Sequence, residues 1–149
     1  PLLVRWLRGA AALEGMTLMF QQEVAERICA APDTEAYGRL AVLAQWRARC
    51  TLLLRLPPGA FSPAPKVWSA VVGFAPYADD PGPALFTAME RLTAAAFGQR
   101  RKMLRGSLRP LGGAEAMLGA AGIAGERRAE TLGVAEFDRL ARLLAARPG

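Results

Sequence analysis

Histidine is absent from this 149-residue chain. That removes imidazole acid–base catalysis and most zinc sites together. Cys29 and Cys50, both in apolar contexts, are too few for a disulfide framework. No apolar run approaches the roughly 18 residues of a membrane span. The opening residues also lack the charged-then-apolar order of a signal peptide, so the expected location is the cytoplasm. Serine, cysteine and threonine occur without a nearby base, and no carboxylate pair is placed for acid–base work, so nothing suggests hydrolysis. Gly112, Gly113, Gly119, Gly122 and Gly125 match neither G-x-G-x-x-G nor G-x-x-x-x-G-K. They follow expected helices rather than a strand, and read as turns.

Acidic residues are missing from two long intervals. None lies between Glu35 and Asp79, an interval that holds Arg39, Arg47, Arg49, Arg55 and Lys66. None lies between Arg91 and Gly113, which brackets Arg100, Arg101, Lys102, Arg105 and Arg109. The formal net charge is +6. Each cluster reads either as a solvated basic face or as a surface for a polyanion, and two clusters in one small chain favour RNA. A hydrophobic content of 52% is enough to bury a real core.

In chain order, Pro1 to Gly9 reads as a helix with proline at its first position and glycine at its end. Met16 to Phe20 is a strand candidate, and Gln21 to Ala31 a helix, with the junction near Gln21 and Gln22. A helix is expected over Gly38–Arg47, with Leu40, Leu43 and Ala44 on its inner face. Cys50–Leu56 is a second strand, halted by Pro57-Pro58-Gly59. A third runs over Val67–Val72, and with no room for a crossover helix the last two should pair antiparallel. The prolines and aspartates of Ala75–Pro83 mark a linker, which divides the chain into residues 1–75, the linker 76–83, and a helical part 84–149. In that part Ala84–Phe97 should bury Leu85, Met89, Leu92 and Ala96. Gln99–Leu108 is expected as a helix carrying Arg101, Arg105 and Arg109 in one stripe. Two short helices are expected over Glu126–Arg147, packed through Val134, Phe137, Leu140 and Leu144.

The stretch F-S-P-A-P-K-V-W-S-A-V-V at 61–72 joins a proline-stiffened loop to that third strand. Pro63 and Pro65 fix two φ angles and push Ser62 and Ala64 toward extended geometry, leaving the loop little entropy to lose. Phe61 reads either as a loop aromatic folded onto the core or as a flat platform beside the cation of Lys66.

This stretch resembles motif VIII of the ribosomal RNA adenine dimethyltransferases of bacterial and eukaryotic small subunits. M-F-Q-Q-E-V-A-E-R-I at 19–28, Y-G-R-L-A-V-L-A-Q at 37–45, A-F-G-Q-R-R-K-M-L-R-G-S-L at 96–108 and E-R-R-A-E-T-L-G-V-A-E-F-D-R-L-A at 126–141 resemble further blocks of that family, in its order. Trp68 departs from the pattern, since many members carry an acidic residue there. The family's N-L-P-Y motif and glycine-rich cofactor loop do not occur, so the chain resembles about the last half of such an enzyme.

The resemblance implies an α/β fold: the C-terminal part of a Rossmann-like methyltransferase sheet, ending in an antiparallel strand pair, followed by a small all-helical domain. It implies a monomer that dimethylates N6 of two adjacent adenosines near the 3′ end of small-subunit rRNA during subunit biogenesis, with S-adenosylmethionine bound by the missing half and no metal. Phe61 matches the phenylalanine that stacks on the target adenine. Lys66, Arg100, Arg101, Lys102 and Arg105 would hold RNA. Two other readings stay open: a non-catalytic RNA-binding assembly factor of the same fold, and a large-subunit rRNA resistance methyltransferase.

Overall fold

The three strands of the sheet lie in the order β1–β3–β2, with the last strand in sequence between the other two. The computed structural model describes residues 2–148. The elements that frame the sheet are α1 (Leu2–Arg8), β1 (Met16–Gln21), α2 (Gln22–Ile28), α3 (Arg39–Arg47), β2 (Ala48–Leu56) and β3 (Ser69–Pro76). Beyond them come α4 (Gly82–Gly98), α5 (Leu104–Ser107), α6 (Ala114–Ala121) and α7 (Val134–Ala145). Among the described residues no strand follows β3, as expected. Pro1, read as the first residue of the opening helix, lies outside the described residues.

β3 pairs antiparallel with both neighbours, so β1 and β2 run the same way on either side of it. This gives the antiparallel pairing of β2 and β3 expected from their short connection. Alternation decides which face is buried. Ala70, Val72 and Phe74 point to the helices, joined there by Met16, Leu18 and Phe20 of β1. The opposite face is polar or open, and Met19 lies on it half-exposed. A bulge between Leu52 and Leu54 breaks the β2 register and leaves Leu53 and Leu54 exposed.

Helix α3 is the hub. Ala41, Val42, Leu43, Ala44 and Trp46 are all buried, which exceeds the single inner face read from its spacing. Its Gln45 side chain donates to the carbonyls of Ile28 and Ala30 at 2.9 and 2.7 Å, satisfying acceptors that the end of α2 would leave unpaired. Trp46 Nε1 donates to Asp138 of α7 at 2.9 Å. Arg47 is buried, donating to the Asp79 carbonyl at 2.6 Å, and its own carbonyl accepts from Tyr77 N–H at 3.0 Å. Those two bonds hold the 77–81 connection against the end of α3. The strand therefore outruns its expected limit and the irregular connection is shorter than Ala75–Pro83.

One cluster of buried apolar side chains runs from Leu3 to Leu144, with Leu85, Met89, Leu92 and Ala96 of α4 and Phe137, Leu140 and Leu144 of α7 inside it as expected. Val134 only packs against its edge. Phe97 stacks on Phe137 at 5.6 Å between centroids.

Gln99–Leu108 is not one helix. Residues 99–103 form a turn, α5 spans four residues, and Arg109 lies in a separate 3-10 turn. The stripe of Arg101, Arg105 and Arg109 expected from four-residue spacing therefore does not exist. In a continuous helix the amides of Leu104 and Arg105 would donate to Arg100 and Arg101. Here they donate to the carbonyls of Arg127 and Gly125 at 2.7 and 3.0 Å. Gly125 permits that approach, because a Cβ there would stand 3.2 Å from the Arg105 Cβ.

Candidate nucleic-acid interface

β1 and β2 end together. Gln21 and Leu56 both lie opposite Ser69, one on each side, so the carboxyl ends of the two like-directed strands meet the start of β3. In open α/β sheets this carboxyl end is where ligands bind. The 57–68 loop leaves and re-enters the sheet there.

Within the loop, Pro58–Ala60 forms a 3-10 turn and Phe61 follows it in extended geometry, its amide donating to the Pro58 carbonyl at 3.3 Å. The Phe61 ring is half-buried, neither sunk in the apolar core nor free. The Ser62–Pro63 peptide is cis. Lys66 is exposed five residues on, and Val67 and Trp68 are exposed outside β3, which begins two residues later than its sequence suggests.

The second basic group follows the C-terminal end of α4. Arg101 and Lys102 are exposed in the turn and carry no carboxylate partner among the described residues. Arg100 is differently placed. Its guanidinium donates to the carbonyl of Glu35 at 2.8 Å and lies 3.5 Å from the Glu130 carboxylate. Arg105 pairs with Glu126 at 3.4 Å on the surface. The structure thus keeps Arg101 and Lys102 together and open, while Arg100 and Arg105 also bind their own chain. Those partners stand 21 or more residues away, and spacing within the basic block carries no sign of them.

The 31–37 loop that Arg100 grips is held from three sides. Asp33 N–H donates to the Glu130 carbonyl at 2.8 Å, and the buried Tyr37 hydroxyl donates to the Leu132 carbonyl at 2.7 Å. Burial, with Glu136 nearby, pushes the Tyr37 phenol up to about 12. Glu136 accepts from Arg127 at 2.5 Å and from the Gly133 amide at 3.1 Å, and the Arg127 bond foremost holds its carboxyl below the usual range. The block at 126–141 is therefore a clasp that joins α7 to the loop before α3.

No group of three metal-ligating side chains occurs among the described residues. β1 passes into α2 directly, through Gln21, with no glycine loop between them. That junction therefore lacks the glycine-rich turn by which a backbone approaches a nucleotide-like cofactor closely. Among them, no helix is long and apolar enough to cross a membrane.

A family model described as "Ribosomal RNA adenine dimethylase" matches residues 1–146. A relative from Gluconobacter oxydans called "Ribosomal RNA small subunit methyltransferase A" is 65% identical over 148 residues, 99% of this chain and 48% of the relative. One of the same name from Paramagnetospirillum magneticum is 52% identical over 146 residues, 98% of this chain and 52% of that protein. The chain thus spans about half the length of these relatives. A dimethyladenosine transferase from Plasmodium falciparum superposes with a TM-score of 0.75 at 22% identity, over 93% of this chain and 60% of the other. The 23S rRNA methyltransferase ErmE gives 0.61 at 24% identity, over 95% and 59%. These two likenesses show the fold, a Rossmann-like sheet ending in an antiparallel strand pair with a helical region after it.

Proposed function

Since this chain belongs to the ribosomal RNA adenine dimethylase family, we propose that the protein carrying it dimethylates N6 of two adjacent adenosines near the 3′ end of small-subunit rRNA, during assembly of that subunit in the cytoplasm. The family match across residues 1–146 carries this reading. Residues 1–75 would be the end of the catalytic domain and 84–149 an RNA-holding domain, joined by 76–83. The unpaired edge of β1 would receive the remainder of the sheet.

An exocyclic adenine amine sits inside the base stack, so the base must be extruded and fixed before it can react. Phe61, half-buried at the carboxyl end of β1 and β2, is proposed to stack on it, which is worth about 1–3 kcal/mol. S-adenosylmethionine would supply the methyl group from the half of the protein beyond this chain. Here the work is holding and desolvating the base, which shortens the search for a reactive geometry. Lys66, Arg101 and Lys102 would meet RNA phosphates, and Arg100 and Arg105 would orient the turn that presents them.

Unmethylated small subunits incubated with the complete protein and S-adenosylmethionine should yield N6,N6-dimethyladenosine in digested rRNA. Product on large subunits instead would transfer the protein to the resistance-type activity. Binding without product on either subunit would identify a non-catalytic assembly factor.

A further inference from the structure

Trp68 ends the 57–68 loop with an indole that no other described residue engages. It is 48% exposed, although a large aromatic ring is among the side chains that gain most from burial. No aromatic ring among the described residues pairs with it and no guanidinium lies over it. Its N–H meets no acceptor among them, whereas the indole N–H of the buried Trp46 is bound by Asp138.

The backbone of Trp68, by contrast, is fixed. Its carbonyl accepts from the Gln22 amide at 2.9 Å, and the next residue, Ser69, is held between Gln21 and Leu56. Because Leu56 and Ser69 are partners, the loop closes on itself at the carboxyl end of β1 and β2, with Phe61 five residues after one partner and Trp68 directly before the other. Lys66 is exposed in the same arm, and no acidic residue occurs from Ala36 to Ala78. The carboxylates of the adjoining α2 are engaged, Glu26 by Arg55 and Gln22, Glu23 by Arg27. An indole that is fixed at its backbone, open at its ring and close in sequence to a free cation suits a base on a polyanionic strand.

We propose that Trp68 stacks on the base next to the extruded adenosine. Extrusion takes one base out of the strand and leaves its neighbour without a stacking partner on that side. The indole replaces the lost surface, which lowers the cost of extrusion and fixes the register of the strand. The proposal rests on the rRNA reading above and adds to it a second platform in the loop of Phe61.

A double-mutant cycle between protein and RNA tests it. The complete protein is titrated with a labelled 3′ small-subunit rRNA fragment, intact or with an abasic nucleotide on one side or the other of a target adenosine. Trp68→Ala should weaken binding of the intact fragment roughly 5- to 150-fold, the range that stacking on an aromatic ring supplies, and Trp68→Phe should keep most of the affinity. One abasic fragment should weaken binding to the parent by a similar factor. Trp68→Ala should bind that fragment and the intact one alike, while Phe61→Ala still discriminates between them. The melting temperature of the RNA-free protein should hold in Trp68→Ala, because about half of the indole is already in water. On unmethylated small subunits kcat/KM for Trp68→Ala should fall by a similar factor, and a value equal to the parent's would overturn the proposal whatever the fragments show. Equal sensitivity of parent and Trp68→Ala to both abasic fragments would also overturn it, and a lowered melting temperature beside that result would assign the indole to packing within the complete protein. In either case methylation of small subunits by the parent leaves the rRNA reading standing. A parent that methylates neither would overturn both.

Discussion

The amide of Gln22 donates to the carbonyl oxygen of Trp68 at 2.9 Å, tying the first turn of α2 to the end of the Phe61 loop. The other end of the loop is tied by the 3-10 turn at Pro58–Ala60. A chain fixed at both ends and stiffened by four prolines loses little further entropy when a ligand orders it. This anchoring supports the platform role proposed for Phe61.

Truncating that ring should therefore cost binding of the extruded base and little else. Phe61→Ala in the complete protein should lower kcat/KM for small-subunit methylation roughly 5- to 150-fold, the equivalent of about 1–3 kcal/mol of stacking. Affinity for S-adenosylmethionine should be unchanged, and Phe61→Tyr should retain most activity. Full activity in the alanine variant would remove Phe61 from the site.

The basic turn separates into cations of two kinds. Arg101→Glu should weaken rRNA binding and flatten its dependence on salt, with thermal stability held, since its side chain is exposed and unpaired among the described residues. Arg100→Ala should weaken binding and also lower stability by about 1 kcal/mol, because the Glu35 carbonyl and Glu130 lose their partner. Equal melting temperatures for the two variants would contradict this division.

Tyr37 offers a test of the clasp. Tyr37→Phe leaves the buried Leu132 carbonyl without its donor and should cost about 1–3 kcal/mol in denaturant unfolding. In the parent, its phenol stays protonated until about 12. The associated stability is complete below the ordinary phenol range near 10 and is lost as the pH rises toward 12. Ultraviolet absorbance should show Tyr37 ionising late, with unfolding, and its ionisation in the ordinary phenol range would refute its burial.

Glu136 works in the opposite direction. Its carboxyl is held down mainly by the Arg127 hydrogen bond, so its stabilisation is present above the ordinary carboxylate range and disappears as acid protonates the folded form. The melting-temperature gap between parent and Glu136→Gln should be largest near neutral pH and close as the pH falls below about 4. A gap independent of pH would show that the pair contributes through shape rather than charge.

Short apolar runs made the strands legible, and helical spacing the long helices and their buried faces. Met16–Phe20 is such a run, Leu85, Met89, Leu92 and Ala96 recur at helical spacing, and both signals lie in residues close together in the chain. The Phe61 loop was legible for the same reason, since prolines restrict their own backbone wherever they stand. The basic turn was not. A run of helix formers with arginines four apart predicts a cationic stripe, but the amides of Leu104 and Arg105 are claimed by carbonyls about twenty residues downstream. A backbone donor can serve one strong acceptor, and which acceptor wins depends on what the fold brings near. The sequence alone determined the kinds of element, the stiff aromatic loop and the surplus of positive charge. Tertiary structure alone decided which cations face outward and which are consumed internally, because those outcomes depend on contacts between residues far apart in the chain.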